Sequence, residues 1–155
     1  MGTTTRRVCR LHDVLTGVIV ALVVADPLRR RRQQADWAQW LPAQQRLDRV
    51  MRRVAPPVFL GAIGSGAAAA VLSAVSGRPA AGVGRALAAA VDLEAVRVTL
   101  AVNDPVNQEL RSWRVEEEPL DWQTQRVRWE VGHEMRRVLL GAGAVATVVA
   151  ARAGR

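Results

Sequence analysis

One helical face carries most of the chemistry this chain could perform. Trp122, Arg126, Trp129, His133 and Arg136 follow one another at steps of four, three, four and three, the spacing that stacks side chains on one side of a helix. Leu140 and Gly143 continue the count. If this stripe lines a pocket between helices, His133 is the side chain suited to act as a general base near neutral pH. Arg126 and Arg136 would stabilise an enolate or phenolate, and Trp122 and Trp129 offer flat surfaces for a polycyclic aromatic. Upstream, the polar elbow Asn103-Asp104-Pro105-Val106-Asn107 could hold carbonyl and hydroxyl groups with its two asparagines. That inventory suits removal of a proton from an acidic C–H followed by direct reaction with dioxygen. The carbanion itself supplies the electrons, so no flavin and no metal is required. The competing reading is an interfacial helix anchored by Trp and Arg, with His133 an incidental passenger.

Composition removes other chemistries. All 22 basic residues are Arg, so a P-loop lysine, a Schiff base and a pyridoxal enzyme are excluded. The single Cys9 rules out an intrachain disulfide, a cysteine-rich zinc site and an iron-sulfur cluster. With only His12 and His133 present, a metal centre would have to borrow carboxylates. Half of the residues are hydrophobic while Tyr is absent and Phe occurs once; Ala, Val and Leu must therefore do the packing, which is a helical composition. The net charge of +8 would suit nucleic acid through counterion release, but the long uncharged runs argue for a lipid bilayer as partner and no nucleic acid.

The elements that must position the stripe read as follows. A first helix is expected over about Leu11 to Ala25, stopped by Pro27; Asp26-Pro27 followed by four Arg is no signal-peptide cleavage site. His12, Asp13 and Thr16 share one face of its first turns and read as a helix-start cluster. After the Arg29 to Arg32 run, Trp37, Trp40, Leu47, Val50 and Met51 form an amphipathic pattern broken by Pro42, expected to lie in the headgroup region or cap a pocket. Val54 to Gly77 is 24 residues without a charge, long enough to cross a hydrocarbon core of about 30 Å. Its Gly61, Gly64, Ser65 and Gly66 would let neighbouring helices approach closely. A turn over Gly77 to Gly84 leads into a helix of about Arg85 to Val102. There Asp92, Glu94 and Arg97 each cost about 2.5 to 3.5 kcal/mol near the centre of a span, so that helix needs partners such as Glu94 with Arg97. A last helix from near Asp121 ends in the uncharged stretch Val138 to Ala151. The connectors 27 to 53 and 103 to 137 hold 14 of the 22 Arg and all five Trp, which places basic residues and belt aromatics on one side, the cytoplasmic one by the positive-inside rule.

Asn-x-Pro-x-Asn, a spacer, then Trp-x3-Arg-x2-Trp-x3-His-x2-Arg resembles the anthrone oxygenase-like family of small membrane proteins, clearly over the C-terminal third and loosely over the first half. The resemblance implies a cofactor-free conversion of an anthrone to an anthraquinone in aromatic polyketide pathways. By motif position it brings over Asn103, Asn107, Arg126 and His133 as catalytic candidates, Trp122, Trp129 and Arg136 as substrate-binding candidates, and Pro105 as structural. The expected architecture is all-α: one helical membrane domain over residues 1 to 155, a four-helix antiparallel transmembrane bundle with an amphipathic interfacial helix between helices 1 and 2. The expected partners are a small hydrophobic aromatic substrate and dioxygen, with no cofactor and no metal, and the expected location is the cell membrane. Two other readings stand beside it: a non-catalytic integral membrane protein, and a soluble basic helical bundle that binds nucleic acid.

Overall fold

The computed structural model describes residues 2 to 25 and 29 to 154, and among them the regular structure is entirely helical. Four long helices form the frame: α1 (Thr3–Ile19), α3 (Trp37–Val75), α4 (Pro79–Val98) and α6 (Trp122–Ala153). Two short ones, α2 (Arg29–Gln34) and α5 (Asp104–Leu110), sit in the connectors. α1 packs on α3, α3 on α4, α4 on α6, and α6 returns to the end of α1, closing a four-helix bundle.

Helix boundaries depart from expectation where tertiary packing outweighs local propensity. α1 starts at Thr3, eight residues before the expected Leu11, and takes Arg6, Arg7 and Arg10 into the helix. It ends in a π turn over Val20–Val24, closed by the Ala25 amide donating to Val20 O at 2.9 Å. The expected stop at Pro27 lies outside the described residues. His12 and Thr16 are therefore mid-helix and buried, not a helix start.

Pro42 does not break the amphipathic segment. α3 runs unbroken for 39 residues through Pro42, Pro56 and Pro57, capped by the Asp36 carboxylate accepting from the Gln39 amide at 2.9 Å. An interior proline costs about 3 kcal/mol; burial of Trp40, Leu41 and Gln44 around Pro42 offsets it. The amphipathic helix expected between the first two spans is thus the outer half of the second span. At 1.5 Å per residue, these 39 residues make a rod of roughly 58 Å, well beyond a bilayer's hydrocarbon thickness.

The apolar shaft of the bundle is held by close approach. A Cβ at Gly82 would meet Ala70 O at 2.9 Å, and one at Gly84 would meet the Ala150 Cβ at 2.8 Å, so α3, α4 and α6 come together through small residues. Ile19, Val23, Ala62, Ala95 and Leu140 make the apolar layer across the shaft. Gly77, at φ +75°, supplies the left-handed residue that ends α3, and Pro79 starts α4 in its first turn. Two segments, one beginning at Thr3 and the other α3, are long and apolar enough to cross a membrane, with mean hydropathy 1.9 and 2.0. Only 28% of each such window is buried inside the bundle, so most of this apolar surface faces outward. Glu94 and Arg97 pair at 3.7 Å on the outer face of α4.

The five tryptophans gather at one end, but not as an interfacial belt. Trp37, Trp40, Trp122 and Trp129 are 1 to 7% exposed and, with Leu41, Val106 and Leu110, form the core of a headpiece against which Trp113 packs. Ring centroids of Trp37 and Trp40 lie 5.5 and 5.7 Å from Trp122. The headpiece is built from α2, the outer half of α3, α5 and the first turns of α6. Asp48, buried on α3, ties it together: Arg111 donates from Nε at 2.9 Å and from Nη2 at 3.1 Å to its two carboxylate oxygens. Those hydrogen bonds also tighten the hold of the Arg111 guanidinium on its proton. Hydrogen bonds to charged groups contribute about 1.5 to 3 kcal/mol; Asp48→Ala should therefore lower the melting temperature in detergent, whereas Glu94→Ala, on an exposed pair, should leave it nearly unchanged. Thermal unfolding followed by circular dichroism checks both.

Candidate functional site

The spacing of the stripe on α6 translates into one inward face. Trp122, Trp129, His133, Leu140 and Gly143 are buried, and Arg126 and Arg136 are half-buried. Trp129 is the point where the other candidates meet. Its Nε1–H donates to Asn107 Oδ1 at 3.0 Å, and its backbone carbonyl accepts from Asn103 Nδ2 at 2.8 Å. The His133 imidazole stacks on its indole, with centroids 5.0 Å apart and planes 13° from parallel, and the Arg32 guanidinium lies 5.4 Å over the ring.

The elbow reaches this point because of a local irregularity. α4 widens into a π turn at Thr99–Asn103, closed by the Asp104 amide donating to Thr99 O. Pro105 then sits in the first turn of α5 and has no N–H to offer the turn behind it. The wide turn carries Asn103, fully buried, against the backbone of α6. Gly132 makes that contact feasible: a Cβ there would lie 2.6 Å from Asn103 Oδ1. That oxygen has no hydrogen-bond partner among the described residues.

Arg136 addresses His133 directly. Its Nη2 donates to His133 Nδ1 at 3.1 Å and its Nη1 to Thr99 Oγ1 at 3.3 Å, while Thr99 donates on to Ala95 O at 2.8 Å. A guanidinium can only donate, so Nδ1 is the acceptor and the neutral imidazole carries its proton on Nε2. The Nε of Arg136 is buried without a partner among the described residues.

Arg126 has a different task from the one its position in the stripe implied. Its Nη1 donates to Ala35 O at 2.8 Å, its Nη2 to Arg32 O, and its Nε to Glu130 at 3.3 Å. Its guanidinium also lies over the rings of Trp40 and Trp122, at 5.9 and 5.7 Å. It is a clasp that fastens the end of α2 to α6. Trp122 is likewise a core residue, packed between Trp37 and Trp40.

The candidates do not all line one cavity. A cavity of about 230 Å³ opens between α2 and α6, with Trp129 and His133 in its wall together with Arg29, Arg32, Glu130 and Glu134. Trp122 and Arg126 border a separate hollow with Trp37. Asn103 and Asn107 belong to neither; they hold Trp129 in place. In sequence, Arg29 to Arg32 reads as a charge run ahead of an amphipathic segment expected to lie in the headgroup region or cap a pocket, and neither Arg29 nor Arg32 is among the candidate site residues. Arg29 pairs with Glu134 at 3.0 Å, and Gln33 reaches Glu130 at 3.5 Å, so α2 lies along α6 and walls the cavity. The signal was present: the arginine run directly precedes the first two tryptophans of the headpiece.

Because Asn103 fills the space a side chain at position 132 would need, Gly132→Ala should displace it and break its bond to the Trp129 carbonyl. Overpacking of this kind costs about 1 to 3 kcal/mol. Gly141, whose face meets open space, gives the control: Gly141→Ala should keep or raise the melting temperature that Gly132→Ala lowers.

No curated protein and no solved structure matches the chain. The anthrone oxygenase family matches over residues 47–146. That span omits α1 and α2 and covers most of α3, all of α4 and α5, and most of α6. With well over half of its length inside the match, including Asn103, Asn107, Trp129, His133 and Arg136, the chain belongs to the anthrone oxygenase family.

Proposed function

We propose that the protein is a membrane-embedded, cofactor-independent oxygenase that converts an anthrone-type aromatic polyketide to the corresponding quinone, with His133 as the base. The observation that carries this reading is the arrangement at the cavity: an imidazole stacked on Trp129 and hydrogen-bonded by Arg136, in a chain of the anthrone oxygenase family. The outward-facing apolar surface of the first segment and α3 supports residence in a lipid bilayer, and we assign it to the cell membrane. It also weighs against a soluble nucleic-acid-binding bundle.

The reaction balances without a further redox partner. A methylene flanked by aromatic rings loses a proton, the carbanion adds dioxygen to give a hydroperoxide, and loss of water leaves a ketone. One dioxygen is consumed and one water is released per substrate. The substrate would lie along the exposed side of the Trp129–His133 wall. For Nδ1 of His133 to take the proton, Arg136 must release it. The guanidinium can then give that N–H to the oxygen on which the enolate charge develops, so that one movement uncovers the base and stabilises its product. Asn103, Asn107 and Arg126 act at one remove, by holding Trp129 and α2.

Oxygen uptake by the purified protein with an anthrone-type substrate tests the proposal. His133→Ala should lower kcat by about 10² to 10⁴, the usual contribution of a positioned base. Arg136→Leu should lower it by about 10² or more, and Trp122→Phe should mainly reduce stability. An uptake rate indifferent to His133→Ala would remove His133 as the base. No uptake above the uncatalysed rate with any anthrone would favour the non-catalytic membrane protein.

A further inference from the structure

Away from the Trp129–His133 cavity, the shaft holds a second set of polar groups around one anomaly. Asp92 on α4 is 4% exposed and makes no hydrogen bond or ion pair with any described residue. Its neighbours on the same face of α4, Ala88, Ala89 and Ala95, are buried and apolar. Across from it is Gly143 on α6, where a Cβ would sit 3.8 Å from Asp92 Oδ1.

The polar groups of the shaft on the neighbouring helices are already committed or can only hydrogen-bond. One turn along α6, Thr147 Oγ1 lies 3.0 Å from Gly143 O and 3.3 Å from Nε2 of His12. His12, fully buried on α1, donates from Nδ1 to Ala62 O of α3 at 3.2 Å. Arg85 of α4 is paired with Asp13 of α1 at 2.8 Å, and Arg97 is paired with Glu94 on the outer face. From α3, Ser65 donates back to Gly61 O at 2.6 Å. The buried hydroxyl of Thr16, one turn from His12, has no partner among the described residues.

A carboxylate ion in such a place costs several kcal/mol unless something neutralises it. The two arginines of α4, Arg85 and Arg97, are each paired with another carboxylate. One carboxylate and nearby hydroxyls fall short of the six or more oxygens a hard cation takes, and no group of three or more metal-ligating side chains exists among the described residues. The remaining neutraliser is a proton.

We propose that Asp92 is a proton-binding site inside the bundle, exchanging its proton on the side of the shaft away from the headpiece. The site is closed toward the headpiece. Seven residues of α4, about 10 Å of rise, separate Asp92 from Thr99, and the layer of Ile19, Val23, Ala62, Ala95 and Leu140 fills the level between. The centre is therefore a one-ended store of a proton, independent of the oxygenase reading.

Dicyclohexylcarbodiimide tests this in membranes containing the full-length protein, because it dissolves in lipid and forms a stable adduct only with protonated carboxyls. Peptide mass spectrometry should find the adduct on Asp92, with labelling that falls about tenfold per pH unit once the carboxyl ionises and is unaffected by sodium. Asp92→Asn, an isosteric stand-in for the protonated acid, should abolish the adduct and keep the melting temperature within a few degrees. Absence of an adduct on Asp92 in the folded protein would overturn the proposal. So would protection by sodium at constant pH, which would make the ligand a metal cation, or a large stability loss in Asp92→Asn, which would reveal an ionic partner. Proton uptake into reconstituted vesicles should be the same for the wild type and Asp92→Asn; faster uptake by the wild type would overturn the one-ended arrangement.

Discussion

The indole of Trp129 is the piece on which the rest of the candidate site depends. A buried indole needs an acceptor for its N–H, and Asn107 provides it. That bond fixes the ring, the ring fixes the plane of His133, and His133 in turn receives Arg136. The same residue's carbonyl holds Asn103. Two asparagines that the sequence placed near a substrate instead brace the wall a substrate would touch. Preorganisation of this sort lets a site keep its geometry when nothing is bound.

The chain answers two solvents with two kinds of packing. In the shaft, where lipid offers helices no hydrophobic reason to associate, contact comes from Gly and Ala faces that bring backbones together. In the headpiece, tryptophans are gathered away from water, guanidinium groups lie over their faces, and carboxylates such as Asp48 stand among them. The candidate site lies where these regimes meet. There an apolar ring system can reach a wall that also carries an imidazole and a guanidinium.

Much of this was legible in the sequence, for identifiable reasons. The inward face of α6 was readable because helical spacing is set by backbone geometry alone, and the uncharged run from Val54 because length and polarity suffice. What periodicity does not reveal is what an inward face meets. Trp122 and Arg126 occupy the same stripe as Trp129 and His133, yet they face a core and a pair of carbonyls. The continuity of α3 through Pro42 was hidden because a proline's local cost is visible in the sequence and the compensating burial of Trp40 is not. The Asp48–Arg111 bond joins residues 63 positions apart, and no local pattern announces it. Asp92 was recognised as a problem for insertion; among the described residues it meets Gly143 of α6 rather than a basic group.

The unbroken course of α3 has a mechanical consequence. The outward-facing apolar half and the half that carries Trp37, Trp40 and Asp48 are one continuous helix through Pro56 and Pro57, so a shift of the shaft is transmitted to the headpiece along α3. In a bilayer, a tilt that matches α3 to the membrane thickness would be carried to α5, fastened to α3 by Arg111 and Asp48, and through α6 to α2. On the proposed membrane reading, the height of the cavity mouth above the acyl chains depends on the surrounding lipids, and membrane composition would govern how readily an apolar substrate finds the Trp129 wall.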